Sequence, residues 1–260
     1  MQASEVRYSP PSGYPLGTNR AFTICARILI PILNSISKPD WEGAENIPSS
    51  GSAIVASNHI SYSDVLFLSQ FLFVNGRAPR YLGKKSLFGI PLIGRILYAA
   101  EQIPVDRESG DASKALDQAV ASLKAGHLIG VYPEGTLTRD ENSWPMVGKT
   151  GIARLAIMTQ TPVIPVVAWG PQKILPPYTR KLHLWPRTKI IFRAGTPIDL
   201  SPWYGRFEDQ YALVEATAHV MKTLTIMLEE IRGETAPEFP FDPHQSDLPR
   251  TGNFKKRKKQ

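Results

Sequence analysis

The apolar positions of this chain fall into short continuous runs separated by stretches with helical spacing. Residues 19–37 form the first such stretch, an almost wholly apolar predicted helix (AFTICARILIPILNSI) in which Pro31 should introduce a kink. SAIVAS (52–57) is a strand-like run, followed by a predicted helix over 64–74, RYLG, an amphipathic stretch over 87–98 and the short strand QIPV. The spacing of Ala115, Leu116, Ala119, Val120 and Leu123 predicts a helix over 113–124, which Gly126 ends as a C-cap. HLIGVYP (127–133), PVIPVVAW (162–169) and residues 188–193 are further strands, with helices over 151–159 and 211–231. Continuous apolar strands alternating with helices predict an α/β fold, a mostly parallel central sheet flanked by helices. In such sheets ligands bind at the carboxyl ends of the strands.

This pattern divides the chain into a leader with an N-terminal membrane-associating helix (1–37), one α/β domain (38–233) and a Pro-rich, basic tail (234–260). Charge and hydropathy then narrow the partners. The net charge of +7 resembles a nucleic-acid signature until it is located. Lys255, Lys256, Arg257, Lys258 and Lys259 cluster at the end, and the body is nearly neutral. The distribution points away from nucleic acid and toward anionic lipid headgroups, or else to a solvated tail. No apolar run reaches the roughly 18 residues of a spanning helix, since Arg27 and Arg95 interrupt the two closest. A peripheral or monotopic protein on the cytoplasmic face of a membrane is the expectation, with the first helix either dipped into lipid or packed on the core. The single cysteine, Cys25, leaves no internal disulfide and fits a reducing compartment.

Three loops follow strand-like runs and carry polar groups in need of a reason. In Ser57-Asn58-His59-Ile60-Ser61-Tyr62-Ser63-Asp64, a histidine on a strand-end loop meets an aspartate placed in the first helical turn. The carboxylate then fixes the imidazole tautomer and leaves the other ring nitrogen to accept a proton. The same residues also fit a plain helix N-cap at Asp64 or Ser61. The second loop is Ile103-Pro104-Val105-Asp106-Arg107 and the third Tyr132-Pro133-Glu134-Gly135-Thr136-Leu137-Thr138-Arg139. Arg107 and Arg139 suit phosphate, Gly135 permits close backbone approach, and Thr136 offers a hydroxyl and an amide.

Taken together these blocks resemble the family of 1-acylglycerol-3-phosphate acyltransferases and their glycerophospholipid relatives. The likeness rests on Asn58, His59 and Asp64, on residues 103–107, on Pro133-Glu134-Gly135-Thr136 and on Thr161-Pro162-Val163-Ile164-Pro165-Val166. It spans roughly 38–200, and GKTGIAR (148–154) fits the same region. The resemblance implies one-step acyl transfer from acyl-CoA or acyl carrier protein to a lysophospholipid hydroxyl, with phosphatidic acid as product. His59 would be the general base oriented by Asp64, with no cofactor and no metal. It further implies that Lys84, Arg107, Glu134, Gly135, Thr136 and Arg139 hold the acceptor's phosphate and glycerol. Two departures stand out: the family arginine after Glu-Gly-Thr is Leu137, and Glu101 replaces a glycine. The first leaves room for a larger headgroup, such as a lysophosphatidylinositol derivative, or another polar acceptor; glycerol-3-phosphate is a separate alternative acceptor. A non-catalytic lipid-binding protein of the same fold is the competing class. Gly89-x4-Gly94 lacks the Lys-Ser/Thr of a phosphate loop, and neither G-x-S-x-G nor H-E-x-x-H occurs. His127, His183, His219 and His244 have no ligand-like spacing.

Overall fold

The computed structural model describes residues 15–106, 112–243 and 245–246. Arg107, His244, the leader before residue 15 and the basic run at 255–259 therefore lie outside the described residues. In chain order the elements are α1 (Arg20–Ile36), β1 (Ser37–Glu42), β2 (Ala53–Ser57), α2 (Asp64–Val74), β3 (Pro79–Lys84), α3 (Lys85–Phe88), α4 (Ile93–Ala99) and β4 (Ile103–Val105). There follow α5 (Ala112–Lys124), β5 (Leu128–Val131), α6 (Gly151–Thr159), β6 (Val163–Trp169), α7 (Pro171–Ile174), β7 (Thr188–Ala194) and α8 (Gln210–Arg232).

The seven strands form one sheet in the order β1-β7-β6-β2-β5-β3-β4. Every neighbouring pair is parallel except β6 with β7, so only the β1/β7 edge pair is reversed. This is the mostly parallel α/β sheet that the sequence predicts. Alternate residues of β2 show why its run is continuously apolar: Ile54 and Ala56 pack with α5, α6 and α8 on one face. Ala53 and Val55 pack with Phe67, Leu68, Phe71 and Leu72 of α2 on the other. A strand covered on both faces has no polar side to show.

α1 runs through Pro31 as one helix. Asn19 caps it by accepting from Phe22 N–H, and Ala26, Ile30 and Leu33 turn inward. Ile24, Ile28 and Ile32, four residues apart, stand exposed on the opposite stripe. Exposed Leu92, Ile93, Ile96 and Tyr98 on and before α4 continue this apolar surface, since Asn19 Nδ2 donates to Ala99 O at 2.8 Å. Among the described residues no helix is long and apolar enough to cross a membrane. At the other end, residues after α8 lie back on the body: Val147 N donates to Phe241 O, and the Arg232 guanidinium stacks on Trp144 and Trp169.

Glu101 occupies a backbone position with φ of 55°, in the left-handed region that favours glycine. Its carboxylate pairs with the buried Arg80, which accounts for a glutamate being held there.

Candidate active site

The chain leaves β2 for α2 on one face of the sheet and leaves β5 for α6 on the other. The carboxyl ends of these adjacent strands are therefore the topological switch point, where the ligand crevice of open α/β sheets lies. The loops 58–63 and 132–139 meet there.

Asn58 begins the first loop by extending the sheet ladder. Its side chain donates to Ala168 O at 3.1 Å and accepts from Ala168 N at 2.8 Å, as a strand residue's backbone would. His59 follows, with Nδ1 3.1 Å from Asp64 Oδ2. The same carboxylate oxygen accepts Ile60 N–H at 2.6 Å and Ser61 N–H at 2.8 Å. Asp64 thus folds the loop back over the first turn of α2, where a negative charge also suits the helix N-terminus. Burial pushes its carboxyl above the usual aspartate range, while the His59 contact and the two amides pull the other way. The His59 side chain remains 18% exposed against 1% for Asp64, so the imidazole, not its partner, meets the crevice.

The second loop grips the His59 backbone from both sides. His59 N–H donates to Glu134 Oε1 at 3.0 Å, and His59 O accepts Thr138 N–H at 2.7 Å. The Tyr132 ring stacks on the imidazole at 4.1 Å between centroids and 22° between planes. Glu134 Oε2 also accepts Met146 N–H at 3.2 Å, so this buried carboxyl ties three segments together. Both of its oxygens are turned inward onto these amides. The Arg139 side chain is likewise buried, and beneath the loop its charge acts on the Tyr178 phenol. Leu137, where the family arginine would stand, is core, and its carbonyl accepts the Tyr178 hydroxyl at 2.7 Å.

Gly135 and Thr136 are half-buried at the turn of this loop, with Gly135 at φ of 68°. A Cβ on Gly135 would come within 3.0–3.2 Å of the Lys149 side chain, which therefore lies across the turn. Lys149 is the cation that sequence reasoning missed. Its only signal was membership of GKTGIAR, and its place depends on Lys149 N–H bonding Pro133 O at 2.8 Å. Lys84 ends β3 on the same sheet edge, exposed to solvent, while neighbouring Lys85 pairs with Asp106 at 2.8 Å.

Burial raises the Glu134 carboxyl from an ordinary 4.5 to about 8, against the pull of the two amides. Between those values the folded chain holds a proton that the unfolded chain has released. This contribution to stability is complete below the unfolded value and is lost as pH rises toward and through about 8. The urea midpoint should therefore fall between pH 6 and 9, and Glu134→Gln, though less stable at pH 6, should flatten that fall. Equal slopes in the two proteins would show that Glu134 does not titrate in this window.

The acyltransferase family model matches residues 38–169, half of the chain, and takes in the sheet edge, His59, Asp64 and the 132–139 loop. The chain belongs to the acyltransferase family. The 1-acyl-sn-glycerol-3-phosphate acyltransferase of Bacillus subtilis is 30% identical over 153 residues, 58% of this chain and 72% of that protein. The chloroplastic enzyme BAT2 of Brassica napus, with the same activity name, is 31% identical over 141 residues, 54% of this chain but 39% of its own length. Among solved structures, the 1-acyl-sn-glycerophosphate acyltransferase PlsC of Thermotoga maritima superposes with a TM-score of 0.61 at 22% identity. The superposition covers 83% of this chain and 81% of that one.

Proposed function

We propose that this chain moves a fatty acyl group from acyl-CoA or acyl carrier protein to the free hydroxyl of 1-acyl-glycerol-3-phosphate, making phosphatidic acid at a membrane surface. The observation that carries the reading is the His59–Asp64 pair at the β2/β5 crevice, buried on the carboxylate side and open on the imidazole side. The activity for which the relatives are named supplies the acceptor.

Asp64 holds the Nδ1 proton, so Nε2 faces the acceptor as base. It takes the hydroxyl proton as the oxygen attacks the thioester carbonyl. The tetrahedral intermediate then collapses, the C–S bond breaks, and the imidazolium returns its proton to the departing sulfur. No enzyme-bound acyl group forms, and the chemistry asks for no metal or cofactor. The Tyr132 ring lies on the face of the imidazole that becomes charged, where a π-surface favours the cation. Lys149 across Gly135, together with Lys84 at the end of β3, supplies positive charge for the acceptor phosphate, and Arg107 would add to it. These cations stand in for the arginine that Leu137 replaces.

The apolar stripe of α1 and the neighbouring α4 face suit a helix lying in the interface of an anionic leaflet, at its cytoplasmic side. The basic residues at 255–259 would add to that attraction.

The test is release of thiol from palmitoyl-CoA by the purified chain with lysophosphatidic acid, glycerol-3-phosphate, lysophosphatidylinositol or no acceptor. Turnover that depends on lysophosphatidic acid is expected. Turnover only with another acceptor would replace the substrate, and silence with every acceptor and with both donors would favour the non-catalytic lipid-binding reading.

A further inference from the structure

The connection between α7 and β7 is held at its base and exposed at its tip. Leu175 O accepts the Ser61 hydroxyl at 2.7 Å, the Tyr178 hydroxyl reaches Leu137 O at 2.7 Å, and His183 N–H returns to Ile174 O at 2.8 Å. On the far side the Arg187 guanidinium donates to Asn34 O at 2.9 Å and to Ser37 O, at the C-terminal end of α1. Between these anchors every residue from 180 to 186 is exposed. Leu182 is 60% exposed, Leu184 44% and Trp185 83%. They alternate with Arg180, Lys181 and His183, and the chain contains no acidic residue between Glu141 and Asp199. Among the described residues no ion pair engages Lys173, Arg180 or Lys181.

Large apolar side chains held in water at the tip of a loop tied down on both sides need an apolar phase to enter. Cations interleaved with them need negative charge at the boundary of that phase. Tryptophan, leucine and basic residues in one short exposed stretch match the interface of an anionic bilayer on both counts. We propose that the 180–186 tip is a second membrane contact, which inserts Leu182, Leu184 and Trp185 into an anionic leaflet. This proposal rests on the reading of the chain as a membrane-surface acyltransferase. It goes beyond that reading by assigning a docking element outside α1 and α4. Through Ser61 and Tyr178 the loop base touches both loops of the crevice, so lipid contact at the tip would set the crevice's height over the leaflet. An acidic carrier protein would use the cations but has less use for three apolar side chains in alternation with them, and the bilayer is therefore favoured.

The experiment compares the full chain, the triple variant Leu182→Ser/Leu184→Ser/Trp185→Ser, and the pair Arg180→Gln/Lys181→Gln, whose side chains are solvent-exposed and not needed for folding. Each is sedimented with phosphatidylcholine vesicles with and without phosphatidylglycerol. Each is also assayed on monomeric short-chain acyl-CoA and short-chain lysophosphatidate without vesicles. The triple variant should bind all vesicles about tenfold more weakly, and the charge pair should lose affinity only for phosphatidylglycerol vesicles. Turnover on monomeric substrates should be unchanged in both. Vesicle binding equal to wild type in both variants would overturn the proposal. So would a parallel loss of turnover on monomeric substrates, or a defect confined to a carrier-protein thioester donor. Weaker vesicle binding in the variants, with a wild-type chain inactive on every acceptor, would sink the acyl-transfer reading and leave the docking element standing.

Discussion

Replacing His59 by alanine is expected to lower kcat for thiol release on the order of 10³-fold, within the range that a positioned general base supplies. Folding should survive, because the bonds that fix this loop belong to the residue's backbone. His59 N–H would still reach Glu134, His59 O would still accept Thr138 N–H, and Asp64 would keep the Ile60 and Ser61 amides. What disappears is the imidazole beneath Tyr132, at a cost of about 1 kcal/mol for a partly exposed ring. Thermal melting by circular dichroism beside the thiol assay separates the two effects. A variant that melts like wild type and turns over like wild type would remove His59 from the mechanism.

The fold was legible because two-sided burial writes itself as uninterrupted apolar runs. The runs at 52–57 and 162–169 enclose β2 and β6, and the helical spacing of 64–74 and 151–159 coincides with α2 and α6. Less visible was β1. Ser37–Glu42 is a polar, half-exposed edge strand that pairs on one side only, and its sequence SKPDWE carries no apolar alternation. The reversal of β7 was equally hidden, since β7 is reached by a connection whose direction periodicity does not encode.

The site was legible to the extent that its members are close in sequence. A spacing of five residues across a strand end and a helix start carries the His59–Asp64 contact almost unaided. Glu134 shows the opposite. A glutamate in a Gly-containing loop reads as a ligand group, and only the tertiary arrangement shows both oxygens spent on the amides of His59 and Met146. Leu137 likewise becomes interpretable once its side chain is seen in the core and Lys149 across the neighbouring turn. The part of the site built by residues 110 or more positions apart, such as Asn58 on Ala168 and Ser61 on Leu175, left no local trace.

Asp64→Asn should lower kcat by at least about 10²-fold with little change in the acceptor KM, because it removes charge while keeping shape. In the wild type a single oxygen, Oδ2, takes all three contacts, from His59 Nδ1, Ile60 N and Ser61 N. An asparagine can place its amide oxygen there and keep the loop folded. Its NH₂ then occupies the buried Oδ1 position, which makes no hydrogen bond in the wild type, and an unsatisfied donor there would cost about 1–3 kcal/mol. The ground-state hydrogen bond to the imidazole persists, but the negative charge that stabilises the imidazolium during attack is gone, so the loss falls on the chemical step. A second readout distinguishes this from general damage. The Asp64 charge contributes, after burial, to raising the Glu134 carboxyl to about 8. In Asp64→Asn that carboxyl should titrate at lower pH while staying above its ordinary range, and the pH at which urea stability stops falling should move down with it. A variant with wild-type kcat and an unmoved stability profile would mean that Asp64 does not act on the imidazole at all. A rate loss with the profile shifted downward ties both effects to the one buried charge.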